Sequence, residues 1–225
     1  MSNISSNFTY VTLWIAFQRL HHMYDGVQQD PQFKDDALAL RLSALNMGFF
    51  AFEAFLNHII QTLAPEIWNN ERNYFAGRKP IDGVRYHGPI GKLKYVHLLG
   101  KQIYDENTVY VQTVLKVKNL RDMMVHGRSY HEVPDDIGLD NFSSVHPSVS
   151  KIFKIGTHEL LVASVNHFNS LRCRLFDAVK QHHVNSDLGP PPALCISQIQ
   201  VITVIRSNKN MQRAGGEESV RLMGR

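Results

Sequence analysis

The sequence predicts an all-α protein, a bundle of four to five helices with long irregular insertions and a C-terminal extension. Several long segments repeat apolar residues at helical spacing, whereas only one short segment alternates as a strand would. Hydrophobic residues make up 44% of the 225 residues, which is enough for a core. Helices with one apolar face bury that face by packing on one another, so a bundle is the expected architecture.

The first half of the chain contains the clearest helix. A first helical segment is expected over residues 10–23, before the turn signal Asp25-Gly26. The second covers residues 36–63 and ends before Pro65, because proline disfavours a helical residue in front of it. The apolar face of this second helix is formed by Phe52, Phe55, Leu56, Ile59 and Leu63.

Glycine and proline punctuate the next part of the chain. Residues 66–92 contain many such residues and are expected to form an irregular connection. A short helix is predicted over residues 92–103. A further helix is predicted over residues 107–126, with Gly127 in the position that often ends a helix.

The second irregular stretch covers residues 128–156, where several prolines and glycines exclude a long helix. Thr157 can then cap a last helix that reaches about residue 183. The apolar stripe of that helix is expected to hold Leu160, Leu161, Val165, Phe168, Leu171, Leu175 and Val179.

We expect one helical domain over residues 1–188, with its core at about residues 37–183, followed by an extension over residues 189–225. Within the extension, residues 196–205 are rich in Ile and Val and can form one strand. The residues from 208 onward are polar and are expected to be disordered.

Composition restricts the classes of function. The net charge of +4 permits a polyanionic partner such as RNA without requiring one. No run of about 18 apolar residues is present, so no membrane segment is expected, and the polar first residues do not resemble a secretory signal. Cys173 and Cys195 form no metal motif, so a cytoplasmic protein without metal or cofactor is the simplest expectation.

The most informative segment lies near the end of the predicted helix 107–126. At about 100° per residue, its buried side is expected to hold Val117, Leu120 and Met124. Its polar side is expected to hold Lys118, Asn119, Asp122 and His126. Arg121 lies about 140° from His126 on this helix, an arc that a long arginine side chain can partly span.

This pairing of arginine and histidine suits the cleavage of RNA without a metal. RNA carries its own nucleophile, the 2′-hydroxyl, so cleavage needs proton transfers and positive charge beside the phosphate. The His126 imidazole titrates near neutral pH, and the Arg121 guanidinium matches phosphate oxygens. Both the C-terminal end of the helix and Asp122 favour the imidazolium form of His126.

One histidine cannot easily serve as acid and base in a single step. A two-fold symmetric dimer would bring two copies of the segment together and divide the two tasks. The spacing of Arg121 and His126 is also found by chance at solvated helix ends. The spacing alone therefore leaves open a helix end without catalytic function.

The segment Arg121-Asp122-Met123-Met124-Val125-His126-Gly127, preceded by the apolar Leu120, resembles the hallmark of the HEPN family (higher eukaryotes and prokaryotes nucleotide-binding domain). In that family an arginine, usually followed by a polar residue, precedes a histidine near a helix end. The aromatic-rich stretch Phe52-Glu53-Ala54-Phe55-Leu56-Asn57 resembles an earlier helix of the family that carries a glutamate. The resemblance covers about residues 37–183.

The resemblance implies a homodimeric helical bundle in which two Arg–His motifs face a shared cleft. Many members of the family are metal-independent endoribonucleases of toxin–antitoxin or other defence systems, so RNA and an antitoxin or regulatory protein are the expected partners. Arg121 would bind the phosphate, His126 would transfer the proton, and Asp122 would orient one of them. Glu53 and Asn57 would brace Arg121, unless they are simply a surface stripe, and Asn119 would lie beside the motif as a supporting residue.

Two other classes of function stay open. One is a non-catalytic HEPN-like module that dimerises or binds nucleotides, RNA or a protein, and the other is an unrelated helical protein. The adjacent pairs His21-His22 and His182-His183 point to different sides of a helix and do not favour a metal site. The loop that carries Tyr74, Phe75, Arg78, Lys79, Arg85 and Tyr86 either stacks and contacts RNA or is a structural loop.

Overall fold

The computed structural model describes residues 9–125 and 152–185. The helices in these ranges are α1 (Thr9–Val27), α2 (Lys34–Leu63), α3 (Pro65–Asn69), α4 (Glu71–Tyr74), α5 (Gly88–Leu99), α6 (Val109–Val125) and α7 (His158–Asn185). A 3₁₀ turn at Pro31–Phe33 joins α1 to α2. Over these ranges the chain has no strand and only two isolated β-bridges, so the prediction of an all-α fold is confirmed.

Helix α2 forms the centre of the bundle. It packs against α1 along much of its length and also contacts α3, α5, α6 and α7. The apolar face predicted for it is confirmed, because Phe52, Phe55, Leu56 and Ile59 are at most 1% exposed and Leu63 is partly buried. Each large side chain buried in this way stabilises the fold by about 1.5–3 kcal/mol.

The close approach of α1 to α2 depends on a glycine. The Phe17 ring is fully buried, and a Cβ atom built on Gly48 would lie 2.9 Å from two of its carbons. Trp14 packs edge-on against the same ring, with 5.7 Å between ring centroids. The missing side chain at Gly48 therefore lets an aromatic ring of α1 lie directly on the backbone of α2.

The turn predicted at Asp25-Gly26 is wrong, because α1 continues through both residues to Val27. Tyr24 is 3% exposed, and its hydroxyl forms a 3.0 Å hydrogen bond with Nδ1 of His158 at the start of α7. A glycine inside a helix costs only about 1 kcal/mol, which the burial of Tyr24 offsets.

Residues 66–92 are not one irregular connection, as the sequence suggested, because α3, α4 and the start of α5 lie within them. Pro65 occupies the first turn of α3 and Pro89 the first turn of α5, positions where a missing N–H group costs nothing. These prolines begin helices instead of interrupting them. For the same reason the helix predicted over residues 92–103 lies earlier, at Gly88–Leu99.

The aromatic residues of the intervening loop face the core. Phe75 is 5% exposed and Tyr86 is 6% exposed, and both pack against Tyr95 of α5 with ring centroids 5.6–5.8 Å away. These two rings are therefore closed to a stacked base, which excludes the RNA-stacking alternative for them. The alternative of a structural loop is confirmed at these two positions.

The predicted cap and most of the apolar stripe of α7 are confirmed. The Thr157 hydroxyl accepts a hydrogen bond of 3.2 Å from the Leu160 N–H group. The buried residues of the stripe are Leu160, Leu161, Phe168, Leu171, Leu175 and Val179, whereas Val165 is partly buried.

Other predictions concern residues outside the described ranges or only partly inside them. Residues 152–155 form a helical turn, which corrects the end of the irregular stretch predicted over residues 128–156. The rest of that stretch and the extension over residues 189–225, with its strand and disordered tail, lie outside the described residues.

Pro31–Leu63, which includes α2, is long and apolar enough to cross a membrane by composition alone. Its most apolar window of 18 residues has a mean hydropathy of 1.3, and 39% of that window is buried within the fold. Helix α2 contacts five other helices at the centre of the bundle, and such a core helix is as apolar as a membrane helix. The fold is therefore compatible with a soluble protein.

Candidate functional site

The candidate site lies near the C-terminal end of α6, which packs against α2 and α7. The buried side predicted for this helix is confirmed, since Val117 and Leu120 are fully buried and Met124 is partly buried. Arg121 is partly exposed and lies one turn before Val125, the last described residue of α6. His126 lies outside the described residues.

The Arg121 guanidinium is held on two sides by carboxylates from two helices. Its Nη1 donates a hydrogen bond of 2.7 Å to Oδ1 of Asp122, and its Nη2 lies 3.9 Å from Oε2 of Glu53 on α2. The guanidinium carbon also lies 5.5 Å from the ring centroid of Phe49 and 5.7 Å from that of Phe50. With 21% of the side chain exposed, Arg121 is positioned by its neighbours and still reaches the surface.

Arg121 belongs to a longer series of ion pairs, which we call the ion-pair chain. Glu53 also contacts Lys92 of α5 at 3.4 Å, Lys92 contacts Glu71 of α4 at 2.5 Å, and Lys118 contacts Asp122 at 2.6 Å. The chain therefore connects four helices through alternating charges, in the order Glu71, Lys92, Glu53, Arg121, Asp122 and Lys118.

Most links of the ion-pair chain contribute little to stability. Pairs between partly exposed side chains contribute about 0–1 kcal/mol, and the Asp122, Lys118 and Glu71 side chains are 28–35% exposed. Lys92 differs because its side chain is only 6% exposed. The physical effect of the chain is therefore mainly to fix the Arg121 side chain in one geometry.

Replacement of Lys92 by methionine tests the buried link. It leaves Glu71 without its cation and leaves Glu53 with Arg121 alone, at 3.9 Å, and we expect the free energy of unfolding to fall by about 1–3 kcal/mol. This is less than the loss of about 3–5 kcal/mol for fully buried pairs, because both carboxylates keep some water. Urea denaturation at neutral pH measures the change.

Lys118→Met is the matched control for Lys92→Met, because it removes the same charge from a side chain that is 28% exposed. We expect it to change the free energy of unfolding by less than about 1 kcal/mol. Equal effects of the two replacements would show that burial of Lys92 adds nothing.

The Asp122 carboxylate is ionised at neutral pH. Burial disfavours its charged form, but hydrogen bonds and charges from Lys118 and Arg121 outweigh this effect and hold its pKa below the ordinary value of 3.8. Its contribution to stability is therefore complete above pH 3.8 and is lost as the pH falls through the lowered pKa. Across the neutral range Asp122 can thus hold Arg121 in place.

Arg121 keeps donors for a ligand. A guanidinium carries five N–H donors, and among described residues Arg121 forms one hydrogen bond, to Asp122. The distance of 3.9 Å to Glu53 exceeds hydrogen-bonding range, and the buried Nε has no hydrogen-bond partner within the described ranges. The outer edge of the guanidinium can therefore donate to phosphate oxygens without breaking the bond to Asp122.

The structure brings only part of the predicted set together. Asp122 and Glu53 contact Arg121, but no contact between Arg121 and Asn57 is found in the described part of the chain. The Asn57 Oδ1 is buried and has no hydrogen-bond partner there. Asn57 is therefore not placed as a brace, whereas Asn119 is exposed, as predicted for the polar side of the helix, and has no contact with Arg121 in the described ranges.

Several residues around Arg121 were not predicted as site residues, among them the Phe49 and Phe50 rings under its guanidinium. Lys118 lies four residues before Asp122 on the same helix, so the sequence spacing indicates their contact. Lys92 and Glu71 come from other helices and had no such signal. Asn46 of α2 also faces this end of α6, where its Nδ2 lies 3.2 Å from the Met124 sulfur.

Comparisons with known proteins identify no relative of this chain, since no family model, no curated protein and no solved structure matches it. The resemblance to the HEPN family therefore depends on the residues of the motif and of the Glu53 helix. It remains a prediction.

Proposed function

We propose that the protein is a metal-independent endoribonuclease of the HEPN type that acts as a cytoplasmic toxin or defence effector. One observation carries the proposal. Arg121, which precedes His126 by five residues, is held near the end of α6 by carboxylates of two helices, and among the described residues only Asp122 accepts a hydrogen bond from it. An arginine in this setting is prepared for a phosphate before any substrate arrives.

The proposed reaction uses groups that RNA and the protein already carry. The 2′-hydroxyl oxygen attacks the adjacent phosphorus, and its proton passes to a histidine. The bond from phosphorus to the 5′-oxygen breaks, and a second histidine protonates that oxygen. Arg121 stabilises the negative charge that builds up on the phosphate. The products are a 2′,3′-cyclic phosphate and a 5′-hydroxyl.

The two histidines would be the two copies of His126 in a homodimer. A dimer contact at this surface would cover two exposed apolar side chains, namely Phe50, which is 38% exposed and lies beside Arg121, and Val125, which is 58% exposed. A two-fold contact would place the same side chains of both copies against each other.

A non-catalytic binding or dimerisation module is the second candidate function. The ion-pair chain contains three positive and three negative groups, so its charges balance without a ligand. An arginine neutralised in this way can also serve only to hold helices together.

Incubation of purified protein with labelled single-stranded RNA in excess chelator separates these candidates. The nuclease proposal predicts fragments that end in 2′,3′-cyclic phosphate and begin with 5′-hydroxyl, at a rate that chelator leaves unchanged. Intact RNA would favour the binding module, and cleavage that stops with chelator would contradict the metal-free mechanism.

A further inference from the structure

Four cations lie in the segment that runs from the second residue of α4, through the loop after it, to the first residue of α5. We define the basic loop as residues 72–88, which contain four cations, Arg72, Arg78, Lys79 and Arg85, and one acidic residue, Asp82. Its net charge is 4 − 1 = +3, whereas the whole chain of 225 residues carries +4. Four cations therefore lie close together along the chain, with one carboxylate among them.

These four cations are not engaged as those of the ion-pair chain are. All four are exposed, and none forms an ion pair with another described residue. Arg85 donates one hydrogen bond of 3.0 Å from Nη1 to the Gly77 carbonyl, which leaves most of its donors unused. Surface cations without carboxylate partners are available to an external polyanion.

The basic loop is held in shape by its own contacts. The Arg78 and Lys79 N–H groups donate to the Asn73 carbonyl at 3.1 and 2.9 Å, and bridges join Ala76 to His87 and Ile81 to Val84. Gly77 has φ +70°, and the His87 ring occupies the place where its Cβ would lie. The Phe75 and Tyr86 rings are buried, whereas the four cations are exposed on this fixed backbone.

The basic loop also begins at one end of the ion-pair chain. Glu71, the residue before the loop, contacts Lys92, which contacts Glu53, which lies 3.9 Å from Arg121. Three side-chain contacts therefore connect the start of the loop to the guanidinium proposed to bind the cleaved phosphate.

We infer that the basic loop binds phosphates of single-stranded RNA next to the bond that is cut. The inference rests on the proposed function, in which Arg121 binds the phosphate that is cleaved. It adds that the basic loop binds neighbouring phosphates of the same strand. Unpaired cations on a fixed loop attract the RNA backbone regardless of base sequence. Phe75 and Tyr86 are buried, so the loop contributes charge and does not stack bases with them.

Equilibrium binding of a labelled single-stranded oligonucleotide with 2′-O-methyl groups tests this inference, because such a probe cannot be cut. Arg78→Ala/Lys79→Ala keeps the backbone hydrogen bonds to Asn73 and removes two cations. We expect the slope of log K against log salt to become shallower by about 1.4, at about 0.7 per phosphate contact on single strands. Because log K depends linearly on log salt, this loss of two phosphate contacts makes binding roughly 25-fold weaker at about 0.1 M salt.

Arg19→Ala/Lys34→Ala is the matched control, because it removes two exposed cations that also lack an ion pair within the described residues. We expect this control to bind the probe like the wild type. Equal weakening by both double variants, no weakening by either, or no binding by the wild type would overturn the inference. Circular dichroism confirms that all variants are folded.

Cleavage of unmodified RNA, measured in parallel, separates the two proposals. A wild type that binds the probe but cuts nothing would contradict the nuclease and would keep the loop as a phosphate-binding surface. A wild type that cuts RNA, beside an Arg78→Ala/Lys79→Ala variant that binds the probe normally, would overturn the loop inference alone.

Discussion

Replacement of Arg121 by alanine is expected to slow RNA cleavage by about 100-fold or more, the size of effect seen when one donor to a developing negative charge is removed. The variant should stay folded, because the ion pairs of Arg121 are partly exposed and contribute about 0–1 kcal/mol each. Asp122 keeps its bond to Lys118, and Glu53 keeps its contact with Lys92. Cleavage rate and unfolding midpoint are measured on the same preparation.

Two further variants make the Arg121 prediction specific. Arg121→Lys keeps the charge without the planar fork, so an intermediate rate is expected. Lys118→Ala removes the other cation that contacts Asp122, and its rate should stay within about threefold of the wild type. Full activity of Arg121→Ala, or an equal loss in Lys118→Ala, would contradict the proposed role of the guanidinium.

Phe168→Ala is expected to cause the largest loss of stability, about 3–5 kcal/mol. The Phe168 ring is fully buried on α7, stacks on Phe52 of α2 with 5.2 Å between centroids, and lies 6.4 Å from the Phe17 ring of α1. Three long helices meet at this ring, so its removal leaves a cavity that no one helix can close by itself. Urea denaturation measures the loss.

The matched control for Phe168→Ala is Phe33→Ala, the same chemical change at a side chain that is 43% exposed. We expect the free energy of unfolding to fall by less than about 1 kcal/mol in this control, because the Phe33 side chain buries little apolar area. A similar loss in both variants would mean that the packing of α7 on α1 and α2 is not what stabilises the bundle.

The helices that a periodic apolar face defines were predictable from the sequence. Over α2 and α7 the spacing of large apolar residues repeats for many turns, so their burial follows from local pattern. The errors lie where one residue type has two structural uses. Pro65 and Pro89 begin helices, although proline more often signals an end, and Gly26 is carried within α1 because Tyr24 is buried beside it.

The candidate site was predictable to the extent that its contacts are local. Arg121, Asp122 and Lys118 lie within one turn of the same helix, so spacing alone brings them together. Glu53 was expected from the resemblance, and the structure places it beside Arg121. Lys92 could not be found in this way, since its contacts with Glu53 and Glu71 depend on how α5 packs.

The comparison of wild type with His126→Ala in a single RNA cleavage assay, with chelator present, tests the central claim most directly. We expect cleavage by the wild type to 2′,3′-cyclic phosphate ends and a rate about 100-fold or more lower for the variant, the range for loss of a positioned acid or base. Equal cleavage by both proteins, or none by a folded wild type, would contradict the account.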